Sequence, residues 1–594
     1  MGKRLADVNL HLVDSWDEVQ NFLRWLSEDR GREWLAVDLE TSSLEWYREV
    51  IRMSQFGDTR DGWAIPYERW GGVTEMVFDR VPATSVRYVA HNKKFDREFL
   101  IANGFVPPDM DDTMDMAYLK TPNRAKGLKA AASREVDDRA WMAGAALDDA
   151  MKKAHWTWAT VPWNFPLYWM YAALDVVLTA NLAQEVWPYI EAFHLDAYNL
   201  MGASNNVLMD MEMRGVRIDR EYCEKTKSML EEREAYLRHW FVEQQGVDPL
   251  NNLALVKWFW EQGIEVPLET EKGQPSVKKE SLELIDHPLV PYILEARKCQ
   301  KMSGTYFGNM LDYASGPKQD ILHPNINPLG AVTGRQSITR PALQTLPRSQ
   351  LVRDAFIPRK KHKLLLADFQ GQEMRIFAEF CQDPEMIAAY DRGEDLHNFL
   401  AAYIYGPNFT KAQRQIIKNA GFSKIYGAGI PKFSQTAKID VNEGERVITM
   451  YDAKFVRAKP FQVEVVQRIV SRAYEAESDD GYIITLNDRR IPVPKKKAYI
   501  GVNYIIQGSC ADILRATLVD LDHAGLVDFG DDGGLILPVH DECAFDLSEK
   551  IVDEVMPDIV NVMEHSAERF GVKVPMVVET GVFDRWGTKY AKAA

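Results

Sequence analysis

The chain has 594 residues, a formal net charge of −16, 46% hydrophobic residues and 27% charged residues. That length exceeds one compact core and predicts roughly three or four domains or subdomains of an ordinary globular protein. No apolar run approaches the roughly 18 residues of a membrane span and the N-terminus has no apolar targeting core, so neither secretion nor a membrane partner is expected and a cytoplasmic location is. Five scattered cysteines without a CxxC pair argue against disulfides and structural zinc. The acidic total argues mildly against nucleic acid, but binding follows local fields. Residues 335–363 hold eight Lys or Arg against one acid, Asp354, and Arg489, Arg490 and Lys495 to Lys497 form a second basic island. Such islands suggest a polyanion track, with a solvated basic surface as the even alternative.

In chain order, "WLAVDLETSSLEW" predicts a buried strand over 35–39 that carries Asp38 and, two residues on, Glu40. At period two both carboxylates face one side, and like charges so close require a cation or a shared proton. "YVAHNKKFDREFL" predicts a strand entering a helix, with Asn92 and Asp96 four residues apart. "YWMYAALDVVLTANL" predicts a helix with Tyr171 and Asp175 on one face. Four acids and one phenol at converging spacings suit a two-metal phosphodiester hydrolase, with Tyr171 placed to orient the attacking water. The tryptophans of "HWTWATVPWNF" read as core packing before base stacking.

The order DxE, NxxxD, YxxxD resembles the tyrosine-bearing DEDD 3′–5′ exonuclease domain, which implies a ribonuclease H-like α/β fold with Asp38, Glu40, Asp96 and Asp175 as metal ligands.

From about Leu208, long amphipathic patterns with heavy charge predict an antiparallel helical arm. "LLLADFQGQEMRIFAEF" predicts a buried strand delivering Asp368, followed by a helix with Glu373 and Arg375. "RQIIKNAGFSKIYG" sets Arg414, Lys418, Phe422 and Tyr426 at steps of four, a slanted stripe roughly 18 Å long. Two cations then two aromatics suit a nucleoside triphosphate, phosphates at one end and base and sugar at the other. "NYIIQGSCADIL" puts Asn503 and Gln507 one turn apart, and "LPVHDECAFDL" predicts a hairpin with His540, Asp541 and Glu542 at its turn.

These last motifs, with "TGRQS" and "LQTLP" ahead of them, resemble motifs A, B and C of family A DNA polymerases, in the right order and over nearly the whole chain from about residue 30. The resemblance implies an α+β multidomain protein: an exonuclease domain (1–195), thumb and start of palm (196–318), palm with motif A (319–385), helical fingers with motif B (386–480) and antiparallel-sheet palm with motif C (481–594). It implies DNA synthesis from dNTPs on a primer–template with proofreading, two Mg²⁺ per active site with Mn²⁺ able to substitute, and Asp368 and Asp541 as ligands. Arg414 and Lys418 would hold phosphates, with Lys418 also protonating pyrophosphate and His397 close by. Phe422 and Tyr426 would pack on the nucleotide, and Glu373 with Tyr426 would exclude a ribose 2′-OH. Arg335, Asn503 and Gln507 would contact the minor groove and His540 the primer end, with Glu542 a supporting acid.

The size is similar to phage replicative polymerases with no 5′-nuclease domain, which implies phage DNA replication in a host cytoplasm by a monomer. The helical arm lacks room for a thioredoxin-type processivity factor, while single-stranded DNA-binding protein or helicase partners stay open. Motif A departs from the family at Gln370, Gly371 and Gln372 and motif B at Gly421 and Ser423, which touches fidelity and fingers packing rather than the reaction. Phe422, where some relatives carry Tyr, implies rejection of dideoxynucleotides. Two alternatives remain at this point: an exonuclease whose second half only binds DNA, and a single-subunit RNA polymerase, disfavoured by Glu373.

Overall fold

The computed structural model describes residues 1–594 except 1–4, 6, 29, 30, 83, 271, 348 and 591–594. The N-terminal sheet has the order β1-β4-β3-β2-β5-β6, where β1 is Asn9–Leu12, β2 Trp34–Thr41, β3 Ile51–Gly57, β4 Asp61–Pro66, β5 Arg87–Ala90 and β6 Asp111–Asp112. Strands β2, β3 and β4 are antiparallel, while β1, β5 and β6 join in parallel. The sequence of β2 explains its place: four buried residues give way to an alternation in which Leu39 and Thr41 point inward and Asp38 and Glu40 outward. The long helix Pro166–Phe193 crosses this sheet at close range. A Cβ on Gly62 would lie 2.0 Å from the Ala173 carbonyl oxygen, so only glycine lets that helix bring Asp175 to the strand.

The second sheet is wholly antiparallel, in the order β8-β9-β7-β10, where β7 is His362–Phe369, β8 Gly533–Val539, β9 Glu542–Ser548 and β10 Val578–Phe583. A single apolar core runs through it from Val207 to Trp586. Helix Gly501–His523 is buried along most of its length and supports helix Gln372–Cys381, which follows β7. The predicted helical arm is present as Arg220–Gln245 packed on Val290–Gln300, with its own small core between Phe241 and Ile293. All five cysteines are buried and free. An α/β domain is thus followed by a larger α+β part built on an antiparallel sheet.

Two expectations are corrected. Asn92 is not on a helix face with Asp96: it sits in the left-handed region at φ 71° as the residue before helix Lys93–Ala102. The hairpin turn is His540 and Asp541 alone, with His540 at φ 61°, and Glu542 begins β9 opposite Asp368. The basic islands are divided: Arg353 stacks on Trp586 and Tyr590, Arg359 pairs with Asp546, Lys363 with Asp584, and Arg489 is buried, while Lys360, Lys361, Lys496 and Lys497 are exposed. Charge counted along a chain does not distinguish a polyanion track from internal ion pairs.

Candidate active sites

On the N-terminal sheet, β2 contributes Asp38 and Glu40, and helix Pro166–Phe193 contributes Asp175. One carboxylate oxygen from each lies within 4.8 Å of the other two. Asp96 stands beside Asp38, and one of its buried oxygens has no hydrogen-bond donor. Its helix is pinned at the start: the Asn92 and Lys93 amides both donate to the Asp112 carboxylate at 2.9 Å.

Burial raises the pKa of Asp38 to about 7. Glu40 is pushed up by burial and then by Asp38, and Asp96 likewise. Tyr171 faces the same acids, and burial together with Glu40 and Asp38 keeps its phenol protonated. A crowd of desolvated carboxylate oxygens is a hard-cation donor set, so the residues fit divalent metal ions.

Sequence reasoning missed Lys129. Its ammonium pairs with Asp175, lies 4.2 Å from the Tyr171 ring centroid and feels Asp38 and Glu40. Burial lowers its pKa to about 8. No periodicity in the chain announces it; the signal was the like-charge cluster itself, which requires a positive partner.

The second site is a cavity of about 670 Å³ above the antiparallel sheet. Its lining includes Asp368, Asp541, Arg335, Glu373, His397, Arg414, Lys418, Phe422, Tyr426 and His540, ten of the residues singled out from sequence. Asp368 is the penultimate residue of β7 and Asp541 occupies the hairpin turn, tied by the Phe369 amide donating to the Asp541 carbonyl at 3.2 Å. Burial and the Asp368 charge raise Asp541 to about 7. Two like-charged carboxylates at the edge of one cavity again fit divalent cations.

Helix Lys411–Tyr426 starts with a capping box at Thr410 and Gln413. It aims its stripe into the cavity. Arg414 is oriented by Asn398 Oδ1 at 2.6 Å and Asp395 Oδ2 at 2.8 Å. Lys418 Nζ lies 5.9 Å from the Phe422 ring, and Phe422 and Tyr426 are 6.4 Å apart between centroids. Burial lowers His397 to about 4, so it is neutral at pH 7. Arg335 is ion-paired with Glu373, which sequence reading had kept apart as groove contact and sugar gate. Gln344 Nε2 and His540 Nδ1 are 3.5 Å apart.

Asn503 and Gln507 are not in the cavity lining; Gln507 donates to the Tyr426 hydroxyl at 3.3 Å from its edge, and a buried Asn503 oxygen has no donor. Lys589 was missed. It reaches Asp368 Oδ2 at 3.1 Å, pairs also with Glu542, and thereby makes Glu542 an ion-pair partner.

The family model described as DNA polymerase family A matches residues 220–588. The chain belongs to that family. A 3′-5′ exonuclease model matches residues 11–191. The DNA polymerase of Mycobacterium phage L5 is 27% identical, over 98% of this chain and 97% of that one. DNA polymerase I of Aquifex aeolicus is 26% identical, over 93% of this chain and 96% of its own length. The fold is similar to a solved structure of the Pol1 polymerase domain of M. smegmatis in complex with DNA primer-template and dNTP, at TM-score 0.76 and 22% identity over 97% of this chain and 99% of that one.

The protein is therefore a family A DNA polymerase with a 3′–5′ exonuclease domain, enzymes that use divalent metal ions. The binding-only alternative gives way. Among the described residues no helix is long and apolar enough to cross a membrane.

Proposed function

We propose that this polymerase extends a primer 3′-OH on a DNA template in the 670 Å³ cavity and trims mispaired ends at the Asp38 cluster, with Mg²⁺ at both sites, in phage DNA replication. The observation that carries the reading is the gathering in one cavity of two carboxylates, two cations and two aromatics from three separate elements. Asp368 and Asp541 would hold the polymerase ions and Asp38, Glu40, Asp96 and Asp175 the exonuclease ions. Such ions lower the pKa of the attacking oxygen and neutralise charge on the leaving one.

The remaining work belongs to side chains. Arg414, held in place by Asp395 and Asn398, grips the phosphates, and Lys418 binds beside it and supplies the proton that pyrophosphate takes on leaving. Phe422 and Tyr426 offer ring faces to the base and sugar. Glu373, braced by Arg335, fills the space beside the sugar 2′ carbon, and neutral His397 can donate one ring N–H to a phosphate oxygen. Arg335, Gln507 and Asn503 approach the primer–template on the minor-groove side and His540 its 3′ end. At the exonuclease site Tyr171 orients the attacking water. The proposed domain limits are 1–195, 196–318, 319–385, 386–480 and 481–594, and the proposed state is a cytoplasmic monomer.

Primer extension with one dNTP withheld tests both activities together. Synthesis should stop before the missing nucleotide, with trimming and resynthesis at that point. Trimming without any incorporation would overturn the reading, as would unprimed synthesis from NTPs.

A further inference from the structure

Three consecutive backbone carbonyls beside the polymerase cavity each receive a buried side-chain donor. Tyr118 Oη donates to Val332 O at 3.0 Å, Arg489 Nη2 to Thr333 O at 3.1 Å and Arg515 Nη2 to Gly334 O at 2.5 Å. The donors are only 2%, 1% and 1% exposed. Asp512, itself fully buried, lies between the arginines: Arg489 Nε donates to its Oδ1 at 2.6 Å, and Arg515 Nη1 is 3.7 Å from the same oxygen. Arg489 Nη1 also donates to Tyr118 Oη at 2.7 Å, so the phenol accepts from one side and donates to the other. Gly334 closes the arrangement at φ +83°. A Cβ there would lie 2.6 Å from Arg489 Nη1 and 2.8 Å from Tyr118 Oη.

Packing alone is a poor reason for two buried guanidiniums around one carboxylate, since apolar residues of similar volume often serve stability as well. What the network fixes is the next residue. Ala331 to Arg335 form a turn, with the Gly334 amide donating to Ala331 O at 2.9 Å and the Ala331 amide to Arg335 O at 3.1 Å. Arg335 leaves that turn, lines the cavity and pairs with Glu373. Tyr118 comes from another part of the chain, helix Thr113–Lys120 of the exonuclease domain, more than 200 residues before the turn it holds.

We propose that Tyr118 is a positioning residue for sugar selection in the polymerase site: through Val332 and Arg489 it sets the turn that aims Arg335 at Glu373. The proposal rests on reading Glu373 and Arg335 as one wall of the nucleotide sugar subsite. A side chain of the proofreading domain thereby serves synthesis without touching the exonuclease acids. Removing its hydroxyl leaves the Val332 carbonyl and one Arg489 N–H without their buried partner, and a turn held on three sides loses one of them.

The test uses the full-length Tyr118→Phe protein, which keeps the ring and its packing. Single-nucleotide incorporation of dNTP and NTP is measured beside trimming of a single-stranded oligonucleotide and the melting temperature. The expected result is a roughly 3- to 10-fold fall in kcat/KM for dNTP and a narrowed dNTP-over-NTP preference, with trimming within about 2-fold of wild type. Arg335→Ala should do more, and Tyr118→Phe/Arg335→Ala should match Arg335→Ala alone, because both act through one group. An unchanged sugar preference in Tyr118→Phe overturns the proposal, even if stability and overall rate fall together. Losses that multiply in the double variant overturn it as well. An unchanged preference in Arg335→Ala overturns instead the sugar-subsite reading beneath it.

Discussion

The molecule solves one electrostatic problem twice, and the two solutions differ. At the exonuclease site a strand and two helices press four acids into a small, desolvated volume, and Lys129 enters among them. At the polymerase site the acids come from a strand end and a hairpin turn at the edge of a wide cavity, and Lys589 neutralises only the flank formed by Asp368 and Glu542. Asp541 faces the cavity without a paired lysine. A tight acid cluster depends on its internal cation for folding without metal, whereas an open pair leaves room for a large phosphate substrate.

The largest expected effects separate the two sites. Asp541→Ala should lower incorporation by about 10³-fold or more while trimming persists. Asp38→Ala with Glu40→Ala should do the reverse and raise the error rate. Loss of both activities in either folded variant, read by primer extension and degradation on the same gel, would end the two-site description.

The pH dependence comes next. Asp38 and Asp541 are both raised to about 7, so in metal-free protein they hold protons that the unfolded chain has already released. Their contribution makes metal-free stability fall as pH rises from about 4 to 7, and metal binding must release those protons. Melting curves with and without Mg²⁺ should therefore diverge towards pH 8 and converge towards pH 5.

A smaller effect sharpens the contrast. Lys129→Met should lower the metal-free melting temperature of the exonuclease domain by about 2–4 °C, with Mg²⁺ restoring most of it, and Lys589→Met should lower it less. Equal shifts would mean that crowding of the acids does not set the need for a cation. The smallest effect is expected from Gly421→Ala. A Cβ there meets Met374 Sδ at 3.2 Å, and a thioether can give way, so incorporation should fall by no more than about 3-fold with trimming unchanged.

Much of each site could be read in advance because its spacings are local. Period two sets Asp38 beside Glu40, and steps of four align Arg414 with Tyr426. The strands carrying Asp38 and Asp368 and the helical arm were readable for the same reason, whereas the two sheets were expected only from the family resemblance. Lys129 and Lys589 were not, since neither shares a strand or helix with the acids it pairs with. Arg489 was misread as a surface charge because the Tyr118 and Asp512 that bury it lie 371 and 23 residues away.

Local chemistry is written in the chain: which carboxylates, cations and rings exist, and at what spacing. The tertiary structure decided the pairings: which lysine enters which acid cluster, that Arg335 meets Glu373, and that Tyr118 reaches across to Val332. The physical reason is range. Helix and strand periodicities fix neighbours within a few residues, whereas a buried charge accepts any partner the fold brings within about 3 Å, whatever its distance along the chain.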